Sequence, residues 1–277
     1  MKNKKRRGDI ILLIAGSLCL IVFVVTGCLL LNYWYESYKQ AKMNLQLAEL
    51  KHGKQSEILY VEAEPVTTPV MNQAEVQETQ NAETTQTEPE HQQEQEVVLD
   101  LTNINPDYMM WLQIADTEID YPVVQRDNAY YLKHDFYGKR SNHGTIFLDE
   151  SCDAKGSILL LHGHHMKDGT MFGSLKNYKK EDYRKQHSVL TLDRMGKVET
   201  YEVFAGALID LLKPERFCYE ELPEGEEETK AYLQQLKNAA FWYEEPQWEG
   251  EEQLVILSTC DYGTKEQRMI VVAVEKK

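Results

Sequence analysis

Cysteine is scarce in this sequence, and none of its cysteines is paired in a C-x-x-C motif. Cys19 and Cys28 lie in a long apolar run, which leaves Cys152, Cys218 and Cys260 for the rest of the chain. An odd number of thiols cannot close a disulfide framework, so at least one of the three stays unpaired by an internal bridge. A thiolate zinc site and a thioredoxin-like motif are disfavoured as well, because both use closely spaced cysteine pairs.

Positive charge is also in short supply. The chain has 30 lysine and arginine residues against 45 aspartate and glutamate residues, and its net charge is −15. Non-specific nucleic-acid binding needs a basic footprint that neutralises phosphates. We therefore predict no nucleic-acid partner.

Residues Val61–Val97 lack every residue type that builds a core. The segment contains no Trp, Tyr, Phe or Leu and no Lys or Arg, and is rich in Glu, Gln and Thr. Such a composition cannot offset the entropy of ordering, so we predict a disordered acidic spacer over residues 61–97. A binding tail for a basic partner is the alternative. Residues 32–60 are predicted to form a juxtamembrane stalk with a short helix.

One long hydrophobic run is present near the N-terminus. Residues 1–9 carry five basic residues, and Ile10–Leu31 then gives 22 residues without a charge. A helix of that length spans roughly 30 Å of hydrocarbon. Tyr33, Trp34 and Tyr35 follow as an aromatic belt, and the basic cluster precedes the span. We predict a single-pass cell-membrane protein with a cytoplasmic N-terminus and an extracellular remainder.

Two other interpretations of this run fit the sequence less well. A cleaved signal peptide usually has an apolar region of only about 7–15 residues and a small-residue cleavage site, and this run is longer and lacks a clear one. Lipidation at Cys28 is suggested by the sequence "VTGC", but the residues that follow continue the apolar span. An uncleaved anchor over residues 10–31 is therefore preferred.

Residues 98–277 have the composition of one globular domain. Their roughly 180 residues suit a single domain. The stretch "DYMMWLQIADTEIDYPVVQ" contains apolar runs that a turn at Ala115–Thr117 separates. Pro122 within it suits an edge strand or the start of a strand. Six further segments are predicted as strands: "GTIFLDE", "SILLLHGH", "SVLTLDR", "VETYEVFAGALID", "QLVILSTC" and "RMIVVAVE". Helices are predicted for "LKNYKKEDYRKQ" and "GEEETKAYLQQLKNAAFW". Many strands with few helices predict a mostly-β barrel with helical insertions.

The end of one predicted strand carries a lone thiol, Cys260, and Arg268 begins the next strand. A free cysteine is usually a small buried hydrophobe. Three histidines, His162, His164 and His165, follow another apolar run, where a strand would place His162 and His164 on one face. Two chemistries compete for them. His-x-His on a strand can chelate a metal, whereas an imidazole and a guanidinium beside a thiol favour a thiolate nucleophile.

Three stretches resemble sortases, the membrane-anchored cysteine transpeptidases of Gram-positive bacteria. "LSTCDYGTKEQR" resembles their catalytic strand-loop-strand, and "HGHHMKDGTMFGSL" resembles the histidine motif of the class B form. "INPDYMMWLQIADTEIDYPVVQRDNAYYLKHDFYGKRSNHGTIFLDE" is similar to the N-terminal region of class B enzymes. The three stretches occur in the family's order. The resemblance implies an eight-stranded sortase β-barrel with added helices, preceded by the anchor and the spacer.

The resemblance also implies roles for single residues. The nucleophile corresponds to Cys260, the catalytic histidine to His164 and the catalytic arginine to Arg268. His162 falls where class B members often have tyrosine. Asn128, Leu132 and Ser258 match positions that line the groove for the sorting signal. No metal or other cofactor is implied.

The implied reaction is cleavage of a sorting signal in a secreted protein, with a thioacyl-enzyme at Cys260. A cell-wall precursor amine or a pilin lysine would then accept the acyl group. Three alternatives remain: a metal-dependent hydrolase using His162, His164 and His165, an external cysteine hydrolase that uses water as acceptor, and a non-catalytic interaction module on a membrane stalk.

Overall fold

The computed structural model describes residues 2–53, 101–260 and 266–277, with side chains for residues 15–53, 101–259 and 266–277. The predicted spacer, residues 61–97, lies outside the described residues. A single long helix, α1 (Lys2–Lys51), begins the chain. It is long and apolar enough to cross a membrane, and its apolar side chains from Ala15 to Leu31 are exposed.

The domain is built from nine described strands and two short-to-medium helices. The strands are β1 (Tyr108–Gln113), β2 (Asp120–Gln125), β3 (Ile146–Leu148), β4 (Ile158–His162), β5 (Val189–Arg194), β6 (Lys197–Asp210), β7 (Ala240–Tyr243), β8 (Leu254–Cys260) and β9 (Gln267–Glu275). The helices are α2 (Glu181–Gln186) and α3 (Glu226–Ala239).

Eight of these strands close into a barrel. The sheet order is β5-β1-β2-β3-β4-β8-β9-β6-β7, and an additional pairing of β5 with β6 closes the ring and leaves β7 outside it. The predicted eight-stranded barrel is therefore confirmed. β4 and β8 run parallel in the middle of the sheet. Residues 158–161 of β4 and 254–259 of β8 are all buried, so both faces of these strands are covered. Continuous apolar runs such as "ILLL" and "LVIL" are typical of strands buried on both faces.

The two predicted helices differ from the observed ones, one by a division and the other by an earlier end. "LKNYKKEDYRKQ" is divided at Lys180 into a 3-10 turn and α2. α3 begins after Gly225 and has three glutamates in its first turn, where negative charge offsets the helix dipole. It stops at Ala239 because Phe241 and Trp242 continue into β7, where Trp242 pairs with Gly206 of β6.

The C-terminal part of α1 packs on the barrel, which the sequence did not predict. Leu47 is completely buried in a cluster with Tyr108, Trp111 and Phe136. Full burial of one leucine side chain contributes roughly 1.5–3 kcal/mol. The stalk helix is thus part of the folded unit as well as a continuation of the predicted anchor.

A short strand makes room for this helix. The pairing of β2 with β3 begins only at Val123, so Pro122 lies where β2 has no strand on that side. Proline tolerates such an edge because it has no N–H to donate. Gln40, Met43 and Asn44 of α1 lie against Tyr121 and Pro122, so α1 covers the open stretch of β2.

Candidate active site

The strand pair β8 and β9 places Cys260 directly opposite Arg268. Cys260 is the last residue of β8, and the antiparallel register joins it to Arg268 near the start of β9. Arg268 is half-buried, and its Nη1 donates to the carbonyl of Gln267 at 3.3 Å. The thiol itself lies outside the described side chains. The backbone therefore brings together the cysteine and the cation that the sequence singled out.

His164 lies two residues beyond the end of β4, the other strand next to β8. In the parallel pair of β4 and β8, His162 is in register with Ser258. The amide of Gly163 donates to the carbonyl of Ser258 at 3.1 Å, so the chain still follows β8 beyond the end of β4. Continuing this register sets His164 level with Cys260. Adjacent strands lie about 4.8 Å apart, so His164, Cys260 and Arg268 occupy three neighbouring positions across the barrel end.

The ring of His164 is held by a backbone carbonyl. Its Nε2 lies 2.7 Å from the carbonyl oxygen of Leu132. Gly144 lies beside the same ring with a φ of +62°, and a Cβ there would be 3.3 Å from Cδ2 of His164 and would collide with the carbonyl of Tyr131. Glycine at residue 144 therefore allows the 131–133 segment to approach the histidine closely.

His162 belongs to a different network. Its Nε2 lies 2.9 Å from Oδ2 of Asp149, and its ring packs on Phe147 with centroids 5.1 Å apart. Asp149 also accepts from the side-chain amide of Asn128 at 2.9 Å, and Oδ1 of Asn128 accepts from the amide of Glu150. Both ends of the Asn128 side chain are thereby fixed. The structure thus links Asn128, a predicted groove residue, to His162 through Asp149.

The electrostatics of Asp149 favour its charged form. Burial raises the pKa of Asp149, but hydrogen bonds from His162 and Ser151 outweigh burial and hold the pKa well below its usual range. Asp149 is therefore ionised at neutral pH. A carboxylate that accepts from His162 and Asn128 at once fixes the relative position of the two side chains.

The three histidines of the cluster do not converge on one point. His162 contacts Asp149, His164 contacts the carbonyl of Leu132, and His165 is buried where its backbone bridges to Met171. Within the described residues, no group of three or more His, Cys, Asp or Glu side chains is arranged to hold a metal ion. The arrangement gives each histidine a separate environment.

Ser258 connects the site to the long insertion before β8. Its hydroxyl lies 2.9 Å from the hydroxyl of Tyr219, and both side chains are almost completely buried. Tyr232 of α3 donates to the carbonyl of Tyr219 at 2.9 Å. Burial raises the pKa of Tyr219, so its phenol is neutral. α3 thereby fixes the segment that lies against Ser258.

The sequence identified the strand ends that carry Cys260 and Arg268 but missed two partners of the other predicted residues. Asp149 and Tyr219 were not singled out. Asp149 directly follows the apolar run "IFL", and a carboxylate at the end of a buried strand is a signal that could have found it. Tyr219 lies in the irregular stretch "FCYEEL", where no pattern indicates its contact with Ser258.

Gly163 separates His162 from His164 and gives the first prediction. A Cβ at residue 163 would lie 2.7 Å from Cδ2 of Phe172 and closer still to Cδ1 of Ile146. Gly163→Ala should therefore cost about 1–3 kcal/mol of unfolding free energy, as overpacking does. Urea unfolding of the full chain in detergent measures the loss. Ile146→Val removes one colliding atom, so the double variant should recover part of it. Equal stability of Gly163→Ala and the wild type would contradict the close approach.

Asp149 gives a second prediction. Asp149→Asn removes the charge but keeps the shape, so at pH 7 it should cost about 1–3 kcal/mol of unfolding free energy. A depressed folded-state pKa means that this contribution is present above the unfolded value of about 3.9 and is lost as pH falls through the lower folded value. The difference between wild type and variant in urea unfolding should therefore shrink in acid.

Asp153→Asn is the matched control for this substitution. Asp153 is exposed and caps one backbone amide, that of Lys155, in the next turn. The control should change unfolding free energy by less than about 1 kcal/mol. If both variants behaved alike at pH 7, the Asp149 network would contribute no more than a surface turn.

Comparison with known proteins gives a consistent set of relatives. The family model described as "Sortase domain" matches residues 112–276. A curated protein named sortase B from Listeria monocytogenes is 29% identical over 244 residues, which cover 87% of this chain and 88% of that protein.

Solved structures agree. Sortase B from Clostridium perfringens matches with a TM-score of 0.58 and 32% identity, over 64% of this chain and 98% of that one. A sortase B–substrate complex from Staphylococcus aureus matches with a TM-score of 0.58 and 26% identity, over 64% of this chain and 83% of that one.

Proposed function

Because this chain belongs to the sortase family, as a class B member, we propose that it is a membrane-anchored cysteine transpeptidase that processes sorting signals through a thioacyl-enzyme. The single observation that supports the catalytic assignment is the register across β4, β8 and β9. It pairs Cys260 with Arg268 and His162 with Ser258, and the hydrogen bond from Gly163 to Ser258 leads the chain on to His164 near the end of β8.

The proposed reaction has two acyl-transfer steps. The thiolate of Cys260 attacks the carbonyl carbon of the threonine in a sorting signal, and the carbonyl oxygen becomes an oxyanion. His164 gives a proton to the departing amine as the peptide bond breaks, which leaves a thioester. An acceptor amine then attacks the thioester, loses a proton to His164 and forms a new amide as the thiolate leaves.

Arg268 supplies fixed positive charge in this proposal. A guanidinium next to the nucleophile favours the thiolate and stabilises the oxyanion as it develops. Arg268 pairs with Cys260 of β8, so the sheet, rather than a loop, fixes the backbone position of the guanidinium group.

The groove residues are proposed from their positions around this row. Leu132 is partly exposed and its carbonyl holds His164, Ser258 lies two residues before Cys260, and Asn128 is fixed by Asp149. We assign Asn128, Leu132 and Ser258 to sorting-signal binding. The partners are secreted proteins that carry the signal and an amine on a cell-wall precursor or pilin.

The membrane assignment depends on α1. It is the one helix among the described residues long and apolar enough to span a bilayer. We propose that it anchors the protein with its N-terminus in the cytoplasm, which leaves the catalytic domain outside the cell.

The test of the proposed function is product analysis. Full-length protein is incubated with candidate sorting-signal peptides, with and without an acceptor amine, and the products are identified by mass spectrometry. A ligated product that needs the amine supports transpeptidation. Release of peptide acid alone, even with excess amine, would identify a cysteine hydrolase. Loss of activity in a metal chelator would identify a metal-dependent hydrolase.

Arg268→Lys tests the role of the guanidinium. A single ammonium cannot reproduce its planar fork of donors, so kcat/KM for peptide cleavage should fall by about 10²-fold. Arg184→Lys is the control, because Arg184 lies on α2 and donates to the carbonyl of Tyr178. It should leave kcat/KM unchanged. Near wild-type turnover of Arg268→Lys would show that charge alone suffices at this position.

A further inference from the structure

The packing of α1 on the barrel fixes the orientation of the catalytic domain relative to the predicted span. Ser37 of α1 donates to Asp168, in the loop that follows the histidines. Gln40 of α1 accepts from the hydroxyl of Ser141 at 2.9 Å. At 1.5 Å per residue, Ser37 lies about 9 Å and Gln40 about 13 Å beyond Leu31, where the apolar run ends.

The β1, β2 and β5 wall of the barrel contacts α1 farther from the span. Lys51 pairs with Asp193, and His52 lies 3.1 Å from Asp120, roughly 20 residues beyond Leu31. These contacts lie about 30 Å along the axis, against 9–13 Å for the contacts near the histidine loop. The side of the domain that carries Ser141 and the loop after the histidines therefore faces the membrane.

A basic hairpin, residues 133–140, lies on this membrane-facing side. Ser141, which follows it, is bonded to Gln40 of α1. Lys133, Lys139 and Arg140 are exposed, and none of the three forms an ion pair with any described residue. The carboxylate of Asp135, inside the basic hairpin, is buried and accepts from backbone amides of the same turn.

The position of the basic hairpin matches the reach of a membrane surface. Headgroups extend about 5–8 Å beyond each side of the hydrocarbon. Ser141, at about 13 Å, is then within one Debye length, about 8 Å at physiological salt, of the headgroup layer. Tyr137 is 44% exposed at the hairpin tip, and α1 adds two exposed lysines, Lys39 and Lys42, at the same level.

We propose that the basic hairpin binds the anionic headgroups of the membrane that α1 crosses, and so holds the loop after the histidines close to the membrane surface. The proposal rests on the membrane anchoring by α1 proposed above. Charge complementarity supports a lipid surface as the partner, because three exposed cations cluster here on a chain whose net charge is −15. Each basic residue near an anionic surface strengthens binding by roughly fivefold.

The experiment compares full-length protein in nanodiscs of zwitterionic lipid and in nanodiscs with about one-third anionic lipid. Hydrogen–deuterium exchange of peptides covering residues 131–145 reports contact with the headgroups. We expect exchange to slow at least about fivefold in the anionic nanodiscs, and the protection to be lost at high salt, because the attraction is screened.

Three variants make the test specific. Lys133→Gln/Lys139→Gln/Arg140→Gln should lose the protection. The control Lys155→Gln/Lys197→Gln/Lys276→Gln removes the same charge at the other end of the barrel and should keep it. Leu47→Asp undocks α1 while it retains the cations of the basic hairpin, and it should lose the protection as well. Folding of each variant is checked by the exchange of β8 and β9.

The outcomes separate this inference from the proposed function. Equal exchange in both lipids, or equal loss in both triple variants, would overturn the inference. Protection that appears only when an acidic protein is added would replace the lipid by a protein partner. Peptide turnover by the wild type is measured in the same nanodiscs. Turnover without lipid-dependent protection overturns the inference alone, whereas no turnover in either lipid contradicts the proposed function.

Discussion

Cys260→Ala is expected to abolish cleavage of sorting-signal peptides and to leave the barrel folded. The substitution removes the sulfur that would form the thioester, and no other residue can take its place in the acyl transfer. The backbone of β8 continues to pair with Arg268 on β9, because that register is made by main-chain groups. Peptide cleavage followed by chromatography measures activity, and urea unfolding measures the fold.

Cys218→Ala is the matched control for this variant. Cys218 is a half-buried free thiol in the insertion before β8, and Cys152 is a buried one. Neither is predicted to react with substrate, so Cys218→Ala should retain wild-type turnover. If Cys260→Ala kept more than a trace of activity, or if Cys218→Ala were the inactive variant, the nucleophile would be misassigned.

His164→Ala should lower kcat by about 10²–10⁴-fold, the usual contribution of a general acid or base. The reason is its position beside Cys260 and the carbonyl of Leu132 that fixes its ring. Adding free imidazole to the His164→Ala variant should restore part of its turnover, because a small base can enter the space that the missing ring leaves. The rate is measured with saturating peptide.

His162→Ala and His165→Ala are the comparisons that make the assignment specific. His162 is bonded to Asp149, and His165 is buried beside Met171, so their loss should act on stability or on peptide KM rather than on kcat. His162→Ala should raise KM, because Asn128 shares the Asp149 carboxylate with His162. A larger fall in kcat for His162→Ala than for His164→Ala would reverse their roles.

Much of the fold could be predicted because its signals are local. Alternation and short apolar runs identified β4, β8 and β9, and those strands carry the site. When two consecutive strands pair antiparallel, a residue at the end of the first lies opposite a residue at the start of the second. Cys260 and Arg268 are paired in this way. The closure of the barrel followed from the resemblance, since strand order is not visible in periodicity.

The missed features are long-range contacts. α1 packs on the barrel through Leu47 and Gln40, although about fifty residues separate its end from the domain. Asp149 and His162 are thirteen residues apart and meet because β3 and β4 pair. Tyr219 reaches Ser258 across thirty-nine residues. A single sequence gives the polarity of such residues but not the distant partner that each one meets.

Covalent capture of the acyl intermediate tests whether Cys260 is the nucleophile. Full-length protein is incubated with a cleavable sorting-signal peptide, quenched in acid, and analysed by intact-mass and peptide-mapping mass spectrometry. We expect an adduct equal to the acyl portion of the peptide, mapped to Cys260, that disappears on addition of an acceptor amine as the ligated product forms. Turnover of the peptide without any such adduct, or an adduct mapped to another residue, would contradict it.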